Sequence, residues 1–230
     1  MTPRLRALLD CVEKCKILAD IGTDHAYLPI EAIRKNICER AIACDIVPGP
    51  LNIASQNIRA AGLQARIETR LGDGLNPLSQ NEADCIVIAG MGGMNIINII
   101  SAAQKKCQGD GSVDNAPRLI LQPQHDLEEL RRFLHKNLYN IIEEKLIRER
   151  ERFYVILISQ RANENEIATY TDAEYFTGKI ISPHFTDYLR EKHKKISGYI
   201  NSVSDEKSRE LAKKQMKWLE EANVHNKVDN

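Results

Sequence analysis

The chain is organised around residues 19–29, which read Ala19-Asp20-Ile21-Gly22-Thr23-Asp24-His25-Ala26-Tyr27-Leu28-Pro29. The apolar residues Ile17 and Leu18 lead into this stretch, and a segment compatible with a helix opens at Pro29. This order predicts the first strand of an α/β sheet, then a tight turn, then a helix whose N-terminus faces a ligand. The turn is therefore a candidate site for a nucleotide-like cofactor.

Strand-like and helix-like segments alternate through the first 160 residues. Strands are predicted over 16–21, 41–45, 65–71, 84–89, 119–121, 140–149 and 153–160. Helices are predicted over 3–14, 29–36, 49–60 and 126–137, and in the segment after Gly93, while 108–117 is predicted to be a surface loop. Such alternation predicts a parallel, doubly wound α/β sheet. The last two strands are joined by a short charged turn, so they are predicted to form an antiparallel pair.

The composition of the chain changes at about residue 161. A polar stretch over 163–177 predicts a linker or cap, and the amphipathic segments 184–202 and 205–222 predict an antiparallel helical hairpin. We therefore predict two domains, residues 1–161 and 162–230. Many lysines and arginines give the hairpin a basic bias, which indicates either a solvated face or a nucleic-acid contact.

The overall composition is that of an ordinary globular protein. The 32 basic and 32 acidic residues balance, so the net charge neither indicates nor excludes a polyanionic partner. The six cysteines include no CxxC pair; Cys11 and Cys15 have i,i+4 spacing, but no second ligand pair lies nearby, and no metal is predicted. No signal region or membrane span is apparent, so we expect a cytoplasmic protein, and a monomer is the preferred interpretation.

Each of the first four predicted strands ends in acidic residues or glycines. The ends are Asp20-Ile21-Gly22-Thr23-Asp24, Asp45, Gly72-Asp73-Gly74 and Gly90-Met91-Gly92-Gly93. In open α/β sheets ligands bind outside the carboxyl ends of the strands, so these groups are expected to converge. Asp45 is predicted to accept the two ribose hydroxyls of a nucleoside, and Asp73 the exocyclic amine of its base.

The first turn favours a cationic cofactor over a dinucleotide. A dinucleotide turn has the pattern G-x-G-x-x-G, whereas this chain has Gly22 followed by Asp24 and Ala26. A carboxylate repels a pyrophosphate, but Asp20 and Asp24 suit the sulfonium and ammonium groups of S-adenosylmethionine. The antiparallel final strands also suit a methyltransferase better than a dehydrogenase, which is a distant alternative.

Taken together, four motifs resemble the bacterial tRNA (adenine(22)-N1)-methyltransferase family. They are the 19–29 stretch, Gly72-Asp73-Gly74-Leu75, Ala89-Gly90-Met91-Gly92-Gly93 and Leu119-Ile120-Leu121-Gln122-Pro123. The resemblance covers residues 3–160, and beyond them only a helical appendage in the corresponding place. It implies a class I (Rossmann-like) methyltransferase sheet with a coiled-coil-like C-terminal domain, S-adenosylmethionine as donor, and a tRNA adenine in the D-arm region as acceptor. The residues alone lead only to a methyltransferase. A different RNA or non-RNA substrate, and a non-catalytic RNA-binding protein of the same fold, are the alternatives.

The N1 atom of adenine already carries a lone pair in the ring plane, so methyl transfer depends on alignment and on an extruded base. We predict that Asp24 orients the donor or the exocyclic amine, that His25 takes the product proton, and that Tyr27 stacks on the target base. The alternatives are a capped turn, a hydrogen-bonded histidine and a packed aromatic ring. Gln122 is expected to hydrogen-bond the adenine edge, and Pro123 to form a pocket wall.

The remaining predictions concern binding groups. The predicted cofactor-binding set is Asp20, Gly22, Asp24, Asp45, Asp73, Gly74, Gly90, Met91 and Gly92. The predicted tRNA contacts are Arg4, Lys192, Lys195 and Lys213. The other histidines are interpreted as surface or core residues; they are His125, His135, His184, His193 and His225.

Overall fold

The computed structural model of the protein describes residues 1–106 and 116–228. The strands in these residues are β1 (Cys15–Ile21), β2 (Cys38–Asp45), β3 (Ile67–Leu71), β4 (Cys85–Met91), β5 (Arg118–Pro123), β6 (Tyr139–Glu149) and β7 (Arg152–Arg161). The helices are α1 (Pro3–Asp10), α2 (Tyr27–Arg34), α3 (Pro48–Ala60), α4 (Gly93–Lys106), α5 (Leu127–Lys136), α6 (Asp172–Thr177), α7 (Phe185–Ser202) and α8 (Glu206–Val228).

The strands form a sheet in the order β3-β2-β1-β4-β5-β7-β6. Strands β1 to β5 are parallel, whereas β7 runs antiparallel to both β5 and β6. The prediction of a doubly wound, largely parallel sheet that ends in an antiparallel pair is confirmed. The carboxyl ends of β1 to β5 therefore meet at one edge, as the predicted site requires.

Apolar side chains cover both faces of this sheet. Ile86, Val87 and Ile88 on β4 are at most 5% exposed, in agreement with a central strand. One face packs against α1, α2 and α3 through residues such as Leu9, and the other packs against α4, α5 and the C-terminal helices. The sheet edge that carries the candidate site is thus the rim of a layer buried on both sides.

Three local expectations are corrected. Strand β5 continues through Pro123, so Gln122 and Pro123 belong to the strand rather than follow it. Helix α1 ends at Asp10 and Cys15 opens β1, so Cys11 and Cys15 do not share a helix and cannot act as an i,i+4 ligand pair. The polar stretch 163–177 contains α6, which begins with a capping box between Thr171 and Glu174.

Two further predictions have no full test. The loop predicted at 108–117 lies almost entirely outside the described residues. Strand β7 ends at Arg161, where the domain boundary is predicted, yet Tyr188 and Leu219 of the C-terminal helices share an apolar cluster with the sheet. The division into two domains stays a prediction.

None of the helices in the described parts of the chain combines the length and the apolar character needed to cross a membrane. Within the same residues, no group of three or more histidine, cysteine, aspartate or glutamate side chains is arranged to hold a metal ion.

Candidate functional site

A cavity of about 310 Å³ lies at the carboxyl ends of β1 to β4. Its lining residues are Ile21, Gly22, Asp45, Ile46, Gly72, Asp73, Gly74, Met91, Asn95, Asn98 and Ile99. The structure therefore brings together the predicted groups Gly22, Asp45, Asp73, Gly74 and Met91 in one cavity. A larger cavity of about 940 Å³ lies at the amino ends of β4 and β5, and none of the predicted site residues lines it.

The turn between β1 and α2 has an unusual backbone. Gly22, Asp24 and Ala26 have φ values of +77°, +52° and +56°, and the last two are uncommon for residues that carry a Cβ. Such conformations persist only when the surroundings enforce them. Here the backbone N–H groups of Gly22 and Thr23 both donate to the Cys44 carbonyl at 2.9 Å. The side-chain amide of Asn57 donates to the His25 carbonyl at 3.0 Å, so the turn is anchored at both ends.

Asp20 is a buried acid at the beginning of this turn. Its carboxylate accepts a hydrogen bond from the Thr23 hydroxyl at 2.7 Å, and the residue is only 8% exposed. Burial raises the pKa of Asp20 from 3.8 to about 6, and the nearby charge of Asp45 acts in the same direction, although the Thr23 bond opposes it. Two carboxylates held close together in a poorly solvated site favour a cationic ligand over an anionic one.

Asp45 is oriented by two backbone N–H groups. Its Oδ1 accepts from Val47 at 2.8 Å, and its Oδ2 accepts from Asp24 at 3.4 Å. A carboxylate has about four lone-pair directions, so both oxygens can still accept a ligand's hydroxyl groups. Because Asp45 lines the cavity at the end of β2, this arrangement fits the ribose of a nucleoside.

The far side of the cavity combines glycines with an apolar wall. A Cβ on Gly72 would lie 2.4 Å from Cγ of Pro77, and Gly74 has a φ of +54° with Ile99 only 3.0 Å from the position of a Cβ. Larger residues would shift this wall. Asn95 and Asn98, which line the same cavity from α4, were missed by sequence reasoning. Their signal is two amides at i,i+3 spacing in a helix that is otherwise rich in isoleucine.

Asp24, His25 and Tyr27 form an exposed group beside the cavity rather than in its lining. The His25 Nε2 lies 3.4 Å from Oδ2 of Asp24, and the His25 and Tyr27 ring centroids are 5.4 Å apart. Nδ1 of His25 is buried and has no hydrogen-bond partner among the described residues. The three side chains therefore present a carboxylate, an imidazole and a phenol ring to a ligand that approaches the cavity past the β1–α2 turn.

The predicted role of Gln122 in reading adenine needs correction. Gln122 is completely buried, its Oε1 accepts from Nη1 of Arg4 at 3.3 Å, and its Nε2 donates to the Pro123 carbonyl at 2.8 Å. Both ends of the amide therefore have partners within the protein, and the side chain has no exposed surface for a base. The Arg4 guanidinium also lies over the Tyr154 ring, 5.2 Å from its centroid, so Arg4 holds the end of β5 in place.

His125, which was interpreted as a surface or core residue, is exposed and lies against the turn that follows β4. The loop after β5 is joined to the end of β4, because Gln124 donates from its side chain to the Gly90 carbonyl at 2.9 Å and Gly93 donates to the His125 carbonyl at 3.0 Å. The imidazole lies against Gly92, where a Cβ would be 2.4 Å from its Cε1. The signal in the sequence is a histidine next to an acid immediately after a strand that ends at the site.

The predicted tRNA contacts differ in accessibility. Lys195 and Lys213 are exposed. Lys192 instead turns inward, donates to the Phe176 carbonyl at 2.7 Å and lies over the Phe176 and Tyr188 rings. Burial lowers the pKa of Lys192. Its ammonium group is therefore a packing contact and is not presented to a phosphate.

Comparison with known proteins identifies this chain as similar to methyltransferases. A protein-family model described as a methyltransferase domain matches residues 1–157. A tRNA (adenine(22)-N(1))-methyltransferase of Bacillus subtilis (strain 168) is 34% identical over 183 residues, which are 80% of this chain and 74% of the relative.

Solved structures extend this similarity to the C-terminal helices. The B. subtilis m1A22 tRNA methyltransferase TrmK is 28% identical with a TM-score of 0.83, and the match covers 97% of this chain and 98% of that one. A candidate tRNA (m1A22) methyltransferase of Streptococcus pneumoniae, solved in complex with S-adenosyl-L-methionine, is 28% identical with a TM-score of 0.85 and coverages of 97% and 99%.

Proposed function

The chain belongs to the tRNA (adenine(22)-N1)-methyltransferase family, and we propose that it transfers a methyl group from S-adenosylmethionine to N1 of adenine 22, in the D-arm region of tRNA. The observation that carries this proposal is the cavity at the carboxyl ends of β1 to β4. It combines an oriented carboxylate, a glycine-rich rim and apolar walls, and a buried acid lies beside it.

The residues of this cavity fit the cofactor. S-adenosylmethionine supplies a methyl group activated by a sulfonium charge. In our proposal Asp45 accepts the ribose hydroxyls, and Asp73 with Gly74 borders the base. Asp20 and Asp24 with Gly22 attract the cationic methionine end. The backbone of Gly90 and Gly92 and the side chain of Met91 border the reacting centre.

The acceptor base is proposed to bind beside the β1–α2 turn. Tyr27 is 54% exposed, so its ring is available to stack on an extruded adenine. Asp24 is placed to orient the exocyclic amine or the donor, and His25 to receive a proton after transfer. Pro123, which is buried, supports the wall behind the base. Gln122 contributes by fixing the end of β5 and not by reading the base.

The tRNA body is proposed to contact exposed lysines such as Lys195 and Lys213, with Arg4 contributing at the entrance to the site. Because the proposed substrate is tRNA, we place the enzyme in the cytoplasm. We also propose that it acts as a monomer.

Labelled S-adenosylmethionine and bulk tRNA provide the direct test. We expect transfer of the label to tRNA and recovery of 1-methyladenine at position 22 when the product is digested and mapped. Label at another nucleotide, or only on protein, would reject the proposed substrate. Cofactor binding without any transfer would instead indicate a non-catalytic RNA-binding protein.

A further inference from the structure

We propose that His125 is a catalytic residue whose Nε2 accepts a hydrogen bond from the exocyclic amine of the target adenine, while Asp126 holds the imidazole in the required tautomer. This inference rests on the proposed function, because it concerns the acceptor base of that reaction. It assigns a role to a histidine that the predicted catalytic group of Asp24, His25 and Tyr27 does not include.

The position of His125 follows from the two sides of the β4–α4 turn. On one side Met91 and Asn95 line the cofactor cavity. On the other side Gly92 touches the imidazole of His125, whose side chain is 70% exposed. In the sheet β4 lies between β1 and β5, so an acceptor base that approaches the reacting centre at the end of β4 has the β1–α2 turn on one side and the loop that carries His125 on the other.

Asp126 fixes how the imidazole is presented. Its Oδ2 lies 2.7 Å from Nδ1 of His125 and also accepts from the backbone N–H of Met94 at 3.3 Å. A carboxylate accepts hydrogen bonds only, so the neutral imidazole must carry its proton on Nδ1 and present a bare Nε2. The Met94 bond anchors the carboxylate at the start of α4, and Gly92 leaves room for the ring.

A hydrogen bond from the exocyclic amine to an acceptor at this position becomes stronger during the reaction. When N1 forms its bond to the methyl carbon, the adenine ring gains the positive charge that the sulfonium loses, so the charges balance without release of a proton. The hydrogens of the exocyclic amine become stronger donors as the ring becomes cationic. A hydrogen bond to Nε2 of His125 is therefore stronger in the transition state than in the ground state, which is the condition for rate acceleration.

Two substitutions separate this role from a structural one. His125→Asn keeps a donor that can reach Asp126 and removes the acceptor at the Nε2 position, whereas His125→Gln loses the Asp126 contact and retains an acceptor at that position. We expect kcat to fall about tenfold or more in His125→Asn, with unchanged dissociation constants for S-adenosylmethionine and tRNA. We expect a smaller loss in His125→Gln. His184→Asn, at an exposed position before α7, is the matched control.

A modified tRNA tests the proposed contact itself. Purine in place of the target adenine keeps N1 but lacks the exocyclic amine, so wild type and His125→Asn should methylate it at equal rates. A difference of about tenfold that persists on this substrate would overturn the contact.

A measurement without cofactor tests the tautomer. In ¹⁵N NMR spectra of the labelled protein, His125 should show a protonated Nδ1 and a bare Nε2, and Asp126→Asn should weaken this preference. The opposite tautomer in wild type would overturn the role of Asp126.

If wild type methylates adenine but His125→Asn retains the full rate, only the role of His125 is lost. If wild type does not methylate tRNA adenine, the proposed function fails and this inference with it.

Discussion

Arg131 on α5 and Glu144 on β6 form a completely buried ion pair, with Nη2 and Oε2 2.7 Å apart. The same two side chains also hold the C-terminal segment, because Arg131 donates to the Tyr175 carbonyl at 2.9 Å and Glu144 accepts from the Lys179 backbone N–H at 3.0 Å. The hydroxyl of Tyr170 donates to the same carboxylate at 3.2 Å. One buried pair therefore connects the sheet, α5 and the segment that leads into the C-terminal helices.

Loss of one member of this pair should be costly. Glu144→Gln leaves the Arg131 guanidinium buried without a counter-charge, so we expect the free energy of unfolding to fall by about 3–5 kcal/mol. Urea denaturation measures this loss. The double variant Arg131→Met/Glu144→Gln should be more stable than Glu144→Gln alone, since no uncompensated charge remains. A loss below about 1 kcal/mol in Glu144→Gln would show that the ion pair does not stabilise the contact between the sheet, α5 and the C-terminal segment.

The buried carboxyl of Asp20 should make stability and cofactor binding depend on pH. Its pKa is about 6 in the folded protein against an ordinary 3.8, so only well below pH 3.8 is it protonated in both the folded and the unfolded state. As the pH rises to about 6, the unfolded state ionises first, and the stability contributed by this residue falls by about 3 kcal/mol.

Asp20→Asn should remove this dependence and stabilise the cofactor-free protein at pH 7. In wild type, a cationic ligand favours the ionised carboxylate, so affinity for S-adenosylmethionine should rise as the pH increases from 4 to 6 and then level off. Calorimetric titrations across this range in wild type and Asp20→Asn provide the measurement. A pH-independent affinity in wild type would separate Asp20 from cofactor binding.

Asp45 should contribute directly to cofactor affinity. Asp45→Ala removes charge-assisted hydrogen bonds to the ribose and should weaken binding by about 1.5–3 kcal/mol. Asp45→Asn retains one acceptor and should lose less. Isothermal titration calorimetry gives both values, and thermal unfolding checks that the loss of the contacts to Val47 and Asp24 has not unfolded the turn. Unchanged binding in Asp45→Ala would reject the ribose assignment.

Asp24 should matter for turnover more than for folding. Its side chain is 68% exposed, but its φ of +52° favours Asp or Asn over Ala. Asp24→Asn therefore preserves the backbone and removes the charge, and we expect both Asp24→Asn and Asp24→Ala to lose methyl transfer while remaining folded. Single-turnover assays on tRNA, with circular dichroism as the folding control, measure this. Near-normal turnover in Asp24→Asn would show that its carboxylate has no role in the reaction.

Lysines on the C-terminal helices should separate into two classes. Lys213→Ala should leave stability unchanged. It should reduce the slope of log K for tRNA binding against log salt concentration by about one, as expected for the loss of one phosphate contact. Lys192→Ala should instead lower stability, because its ammonium packs on Phe176 and Tyr188. Filter binding at several salt concentrations and urea denaturation distinguish the two. An unchanged salt slope in Lys213→Ala would remove this residue from the tRNA surface.

Local patterns in the sequence determined most of the fold. The apolar run before Asp20, the glycine turns and the alternation of strand and helix depend on neighbouring residues, so the parallel sheet and the converging acids at the strand ends were predictable. The boundaries of the elements were less predictable, because β5 includes Gln122 and Pro123 and the polar stretch 163–177 contains α6.

Contacts between distant segments were decided only by the tertiary structure. The sequence indicated that Gln122 lay near the site, but not that Arg4, 118 positions earlier, occupies its amide. It showed Lys192 as one member of a basic run, but not that its ammonium turns onto two aromatic rings. It placed His125 among unremarked histidines, although the imidazole lies against Gly92, 33 residues earlier in the chain. Hydrogen bonds and ring contacts of this kind depend on how segments pack in space, and no local spacing encodes them. The stretch from Ala19 to Pro29 therefore indicates a cofactor turn when it is read together with the other strand ends, while the packing of β4, β5 and β7 decides the surroundings of Arg4, Gln122 and His125.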